Sequence, residues 1–298
     1  CIGCTGGTWC RWRDKKNKKG FFVKISFQGE LGSYSHQACG EAFPDAHPLP
    51  CSTFEAAMAK VKSCESKYAI IPVENSTYGR VADIYYLLPK TGLFIVKEHF
   101  LRVHINLLAL PGVAISEVRT AMSHSVLLGQ CEKFLRKHNI TAISGVDTAG
   151  SAKLVSQNND RTIAALASPL AGRIYGLETI KEAIEDMNNN TTRFLVMSKD
   201  AEKIDLSKSK QYMTTIVFQV RNIPAALYKA MGGFATNGVN LVKLESYMVA
   251  GSFTSTQFYA DIEGHPDQEP VQRALDELNY FTSMVEILGV YGADSFRN

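Results

Sequence analysis

Four short polar clusters punctuate the chain at places where chemistry could be done. They are Gly29-Glu-Leu-Gly-Ser-Tyr-Ser35, Glu74-Asn75-Ser76, Ser123-His124 and Asp147-Thr-Ala-Gly-Ser151. Hydroxyls, amides and backbone N–H groups in such clusters can hold an anion, and a carboxyl or imidazole among them can move a proton. The chain carries no HExxH and no P-loop, and Gly29-Glu-Leu-Gly32 lacks the third glycine and the spacing of a dinucleotide fingerprint. Cys1, Cys4 and Cys10 supply three thiols with no histidine nearby, one short of the four ligands zinc wants.

The elements around these clusters must position them. Val23 to Phe27 alternates and reads as a strand, and Ser33 to Phe43 reads as a helix stopped by Pro44. Thr53 can cap a helix with Phe54, Met58 and Val61 on one face. Tyr68 to Val73 is a short buried strand running into Glu74, and 81–88 suits a helix. Ile95 to Leu110 is one long apolar, alternating stretch. A second block alternates in the same way, with a strand before Ser123, a helix over 128–138, a strand over 141–145, a helix over 151–157, a strand over 162–167 and a helix to Tyr175. Strands alternating with helices predict an α/β fold with mainly parallel sheets, here in two lobes. Ligands in such sheets sit at the carboxyl ends of strands, where all four clusters fall, so the pattern predicts one shared cleft.

Residues 199–211 are polar, Lys-rich and without apolar rhythm, which reads as a linker. Beyond it come a strand over 214–220, a helix over 224–236 ended by Asn237-Gly238, two strands (241–249 and 253–262) around Ala-Gly-Ser, a helix over 270–278 and a strand over 282–291. The order βαββαβ is the ferredoxin-like unit.

The 298 residues are 45% hydrophobic and 20% charged, which excludes a disordered or fibrous chain and allows two domains or one large one. Lys+Arg 32 against Asp+Glu 29 leave +3, too small an excess to predict a nucleic-acid or membrane surface. No stretch reaches the roughly 18 apolar residues of a membrane-spanning helix. No signal peptide is expected. Seven cysteines, with Cys39, Cys51, Cys64 and Cys131 standing singly, suit a reduced, cytoplasmic chain. Residues 1–20 read as a non-native or disordered tail, with the fold starting near Phe21.

Six segments in order carry a resemblance: Gly29 to Ser35, Val73-Glu-Asn-Ser76, Ser123-His124 with Gln130-Cys131, Asp147 to Ala152, Ala167 to Leu177, and Thr192-Arg-Phe194. In that order they are similar to the prephenate dehydratases of the bacterial monofunctional form. Residues from Ile216 to Tyr291 resemble the ACT domain, a small-molecule sensor, that these enzymes carry. The resemblance covers about residues 23–293. It implies a catalytic part over 21–198, with two α/β lobes resembling a type II periplasmic binding protein and the active site between them. It also implies the linker 199–211 and a ferredoxin-like ACT regulatory domain over 212–298.

The activity so implied is that of a lyase in L-phenylalanine biosynthesis, converting prephenate to phenylpyruvate, water and carbon dioxide. Aromatisation drives that reaction, so neither a redox cofactor nor a metal is expected. Thr192 matches the family threonine that assists the leaving hydroxyl and reads as a positioned hydrogen-bond donor. Glu74, if buried with its pKa raised, is the nearest stronger acid; His36 and His124 are alternatives, and Asn75 is expected in the site. Ser33, Ser35, Ser76, Ser123 and Ser151 are expected to hold the substrate's carboxylates, with Arg193 adding a charge-assisted contact. Gln130 reads as a helix-surface or interface contact. His99, His104 and His138 read as packing or surface residues, and Cys131 as a core thiol.

In relatives the ACT effector turn is Gly-Ala-Leu and its strand is Glu-Ser-Arg-Pro. Here Ala225 stands where Gly is usual, and Tyr247-Met248 replace Arg-Pro. Ala225, Ala226, Leu227, Asn237, Asn240, Leu241, Glu245 and Ser246 are expected to form an allosteric L-phenylalanine site between two copies, in a dimer or in a tetramer built from such dimers. The alternatives are an arogenate dehydratase and a solute-binding or sensor protein on the same two-lobed fold. No nucleic-acid or membrane partner is expected.

Overall fold

The computed structural model describes residues 23–81, 84–204, 211–249 and 256–297. The tail expected over 1–20, the middle of the linker and the Ala-Gly-Ser turn lie outside these residues.

β1 (Lys24–Gln28) lies between β2 (His47–Cys51) and β3 (Tyr68–Asn75), all parallel. α1 (Tyr34–Ala42) and α2 (Phe54–Lys62) connect them, each capped by a hydroxyl: Ser33 accepts the His36 N–H and Thr53 accepts the Ala56 N–H. A two-residue β4 (Gly79–Arg80) folds back on β3, and a single turn, α3 (Ile84–Leu87), stands where a helix over 81–88 is expected. The long apolar stretch is two strands, β5 (Phe94–Arg102) and β6 (Asn106–Ala109). They are split where the chain leaves the first lobe for the second.

The second lobe adds β7 (Thr120–Ser123), β8 (Thr141–Ser144), β9 (Ile163–Ala167) and β10 (Glu178–Lys181), in the order β10-β6-β9-β7-β8. α4 (Ser125–Gln130) and α5 (Glu132–Lys137) replace the single helix expected over 128–138, breaking at Cys131. α6 (Thr148–Asn158) and α7 (Pro169–Tyr175) follow β8 and β9. β11 (Thr191–Ser198) then returns to the first sheet between β3 and β5. Because the chain crosses twice between lobes, β11 is antiparallel to both neighbours and β6 is antiparallel to β9 and β10. The sheets are therefore mixed, a correction to the mainly parallel expectation. The lobes touch at the first polar cluster, where the Ser168 hydroxyl donates to the Gly32 carbonyl at 2.5 Å and the Tyr175 hydroxyl to the Leu31 carbonyl at 2.8 Å. A Cβ on Gly32 would lie 2.9 Å from the Ala171 Cα, so glycine lets the lobes approach.

The C-terminal segment has the expected βαββαβ order: β12 (Tyr212–Val220), α8 (Ala226–Thr236), β13 (Leu241–Met248), β14 (Thr256–Glu263), α9 (Glu269–Phe281) and β15 (Thr282–Gly292). Its strands pair β13-β14-β12-β15, and Phe218, Phe234, Leu275 and Leu278 pack between sheet and helices. α8 starts after Ala225, which takes the left-handed conformation (φ 58°) that glycine would adopt without strain. This sheet continues that of the first lobe, because β15 runs parallel to β5 with Gly289 opposite Ile95. A Cβ on Gly289 would lie 2.2 Å from the Ile95 carbonyl oxygen. Gly289→Ala is therefore expected to destabilise the protein by about 1–3 kcal/mol through overpacking, read as a lower urea midpoint. Gly292→Ala, where a Cβ meets nothing within 4 Å, is the near-neutral control. No helix among the described residues is long and apolar enough to cross a membrane.

Candidate functional site

Successive side chains of a strand face opposite sides. β11 therefore parts Thr192 from Arg193, and β3 parts Asn75 from Glu74. Register sets Thr192 opposite Asn75 and Arg193 opposite Glu74. One face gathers the hydroxyl and the amide; the other gathers the two charges.

On the first face, Asn75 Nδ2 donates to Thr192 Oγ1 at 3.0 Å and to Asn190 Oδ1 at 2.7 Å. Asn75 Oδ1 accepts from the backbone N–H groups of Thr77 and Tyr78, each at 3.0 Å, and from the Thr77 hydroxyl at 2.7 Å. Three donors on the oxygen fix the amide's orientation, so its NH₂ end faces Thr192. Thr192 Oγ1 accepts that bond, and its own proton remains to be given to another acceptor. Gln130 reaches over from the second lobe: Nε2 donates to Thr77 Oγ1 at 2.8 Å, and Oε1 accepts from Asn190 Nδ2 at 3.0 Å. Asn75, Thr77, Gln130 and Asn190 thus close an amide and hydroxyl ring across the lobes. A cavity of about 450 Å³ opens beside it, lined by Thr77, Ser125, Gln130, Lys133 and Asn190 among others. Sequence motifs do not single out Thr77 and Asn190; the available signal is proximity, since Thr77 follows the expected Ser76 and Asn190 stands two positions before Thr192. Gln130 makes the interface contact expected of it.

The expected serines are mostly committed to the backbone. Ser33 caps α1, and Ser35 is buried in its first turn. Ser76 Oγ donates to the Asn189 carbonyl at 2.7 Å and accepts from the Thr191 N–H at 2.9 Å, stapling β3 to β11. Ser123 is wholly buried and donates to the Leu166 carbonyl at 2.7 Å; Ser151, also buried, donates to the Asp147 carbonyl at 2.6 Å. This corrects the expectation for Ser123 and Ser151, because a hydroxyl has one proton and each gives it to the main chain.

Arg193 is a second correction. Its side chain is 2% exposed and faces away from Thr192. Nε donates to Glu98 at 2.8 Å, Nη1 to Asp261 at 2.6 Å and to Glu74 at 3.0 Å, and Nη2 to the Tyr291 hydroxyl at 3.0 Å. Burial works to lower the guanidinium's pKa, but Asp261, Tyr291, Tyr259 and Glu98 outweigh it and raise it above its ordinary value. Glu74 gives its other oxygen to Lys243 Nζ at 2.5 Å. It therefore does not stand beside Thr192: both oxygens serve cations on the opposite face.

The histidines expected as alternative acids each accept an N–H bond at Nδ1. His124 Nδ1 accepts from Val126 at 3.3 Å, and His36 Nδ1 accepts from Gly32 at 2.9 Å while its ring stacks on Phe27. Burial lowers the pKa of His36 from 6.5. Between that value and the lower folded one, the unfolded chain binds a proton that the folded chain does not, so this contribution to stability is lost as pH falls below 6.5. His36→Asn is expected to lose less stability than wild type between pH 7.5 and 5.5 in urea titrations, the share of His99, lowered by burial in the same direction, being common to both.

The eight expected effector residues are not gathered within one chain. Ala225, Ala226 and Leu227 border a cavity of about 540 Å³ with Arg221, Thr256 and Phe258. Asn237, Asn240 and Leu241 lie past the other end of α8, about 16 Å away at 1.5 Å per residue. Glu245 faces the first lobe, with Lys243 at 3.2 Å and Arg80 at 3.5 Å, and the Ser246 carbonyl accepts from Arg80 at 3.4 Å.

Residues 25–202 match the family described as prephenate dehydratase. A Komagataeibacter europaeus protein named bifunctional N-acyl-homoserine lactone acylase/prephenate dehydratase is 45% identical over 92% of this chain and 97% of its own length. Arogenate dehydratase/prephenate dehydratase 1 of Arabidopsis thaliana is 37% identical over 92% of this chain and 73% of its own. The crystal structure of the Arthrobacter aurescens prephenate dehydratase in complex with L-Phe superposes with a TM-score of 0.84 at 28% identity, covering 93% of this chain and 91% of that one.

Proposed function

The chain belongs to the prephenate dehydratase family, and from that premise we propose that it converts prephenate to phenylpyruvate, water and carbon dioxide in L-phenylalanine synthesis. The observation that carries the reading is the Thr192 hydroxyl, oriented by an amide whose own orientation is fixed by three donors. In prephenate the bond from the ring to its carboxylate breaks and its electron pair enters the ring. The allylic C–O bond breaks with its pair on oxygen, and the departing hydroxide takes a proton from the solvent to become water. Negative charge develops on that oxygen in the transition state, and the Thr192 O–H donates to it. A preorganised donor aimed at developing charge is worth about 10²–10³ in rate. The inter-lobe cavity beside the ring gives the substrate room, and Lys133 in its lining, next to Glu185 and Asp186, is a cation within reach of a carboxylate.

The C-terminal unit is then an ACT domain that binds L-phenylalanine and lowers activity. The two groups of effector residues lie at opposite ends of α8, so a site using both needs a second copy to lend the other end. The Arthrobacter aurescens enzyme, crystallised with L-Phe, supports an effector of that kind. Cys39, Cys51, Cys64 and Cys131 are free thiols, in keeping with a cytoplasmic enzyme.

The test is turnover of prephenate, arogenate and an N-acyl-homoserine lactone in parallel, with and without L-phenylalanine. Phenylpyruvate from prephenate, suppressed by L-phenylalanine, supports the reading. Turnover of arogenate alone moves the substrate to that amino acid. Hydrolysis of the N-acyl amide of the homoserine lactone alone, the acylase activity in the Komagataeibacter relative's name, overturns the lyase reading, as does silence on all three.

A further inference from the structure

We propose that Arg193 is a positioning residue for Thr192, and that the C-terminal unit is what holds it in place. The proposal rests on reading Thr192 as the donor to the leaving oxygen. Thr192 and Arg193 are neighbours on β11, as Asn75 and Glu74 are on β3, so the catalytic hydroxyl and the guanidinium stand back to back across one sheet layer. The ladder is irregular there. Arg193 pairs with Glu74 but Phe194 pairs with Pro72, which leaves Val73 as a bulge. A bulge loosens the backbone's own register and re-aims side chains, so ties from the far face decide where Thr192 and Asn75 point.

One tie, from Glu98 of β5 to Arg193 Nε at 2.8 Å, lies within the first lobe; the others come from the C-terminal unit. Asp261 of β14 and Tyr291 of β15 take the guanidinium at 2.6 and 3.0 Å, and Lys243 of β13 takes Glu74 at 2.5 Å. Thr215 of β12 fixes both acceptors in turn, at 2.6 Å to Asp261 and 2.8 Å to Tyr291. Four strands of that unit thus grip, from behind, the two strands that carry the Thr192–Asn75 pair. A shift of the unit moves Arg193 and Glu74, and the shared backbone turns Thr192 and Asn75 with them.

Asp261 has no exposed side-chain surface, so it cannot touch substrate. A catalytic effect of changing it must travel through Arg193. The experiment uses the full chain with Asp261→Asn, and with Tyr291→Phe as the gentler variant should the first fail to fold. Misplacing a catalytic group by about an ångström costs up to 10²-fold. The expected result is a kcat lowered roughly 10- to 100-fold with KM within about twofold, and no further loss when either change is added to Thr192→Val. A second readout needs no turnover: the Asn75 side-chain amide resonances shift and exchange faster, while amides of β1 stay as in wild type. A raised KM with unchanged kcat would mean that the guanidinium meets the substrate, and would overturn the proposal. Folded variants with unchanged kcat and unmoved Asn75 signals would overturn it too. If wild type turns over no substrate but the Asn75 signals move, the lyase reading falls and the coupling stands.

Discussion

Thr192→Val is expected to lower kcat for prephenate about 10²–10³-fold, the usual loss of one preorganised donor, with KM little changed. Valine keeps the shape of threonine and removes only the hydroxyl. Asn75 Nδ2 loses one acceptor but keeps Asn190 Oδ1 at 2.7 Å, so the cost to folding is about 1–2 kcal/mol. Thr192→Ser, which keeps the hydroxyl but frees its rotamer, is expected to lie between the two. The measurement is steady-state phenylpyruvate formation beside a circular dichroism melt. A folded Thr192→Val enzyme with wild-type kcat would remove Thr192 from the chemistry and leave its face of β11 as framework. Asn75→Ala strands more than one group. The amide is at once the donor to Thr192 and the acceptor for Thr77 and Tyr78, so its loss is expected to lower kcat and stability together.

The strands and helices of the fold are legible where the period is clean, as in β1, β3, β9 and the whole βαββαβ segment. β2 is not, because His47-Pro-Leu-Pro-Cys51 carries two prolines; it forms at the sheet's outer edge, where a missing N–H is tolerated. The apolar run 95–110 hides the crossing between lobes, since both halves are equally apolar and only the topology separates β5 from β6. In the proposed site, Thr192 and Asn75 are singled out by their motifs, and the structure sets their side chains 3.0 Å apart. Arg193 and Glu74 belong to the same motifs but not to the same face. Neighbours on a strand point to opposite sides, so a cleft that takes Thr192 and Asn75 cannot also take the residues beside them. Asn190 completes the ring from 115 positions along the chain from Asn75, and no local pattern announces such a contact.

Arg193→Met is expected to destabilise the protein by about 3–5 kcal/mol, the cost of stranding a buried charge. Glu98 and Asp261 both have fully buried side chains, but their fates differ. Glu98 keeps Arg297, whose Nε and Nη2 lie at 2.6 and 2.9 Å. Among the described side chains, Asp261 keeps only the Thr215 hydroxyl, at 2.6 Å. The penalty therefore falls on Asp261, and relief should come from removing that carboxylate. The double variant Arg193→Met/Asp261→Leu is expected to recover most of the lost stability, as buried ion pairs replaced by apolar groups of similar size commonly do. Urea titrations of wild type, single and double variants at one pH measure this. A double variant no more stable than Arg193→Met would show that packing and not stranded charge carried the loss. Turnover should not follow stability. The double variant folds around an apolar contact that no longer ties β11 to β14, so kcat stays low while the midpoint returns. That separation is what distinguishes an ion pair kept for where it holds Thr192 from one kept for the energy it contributes.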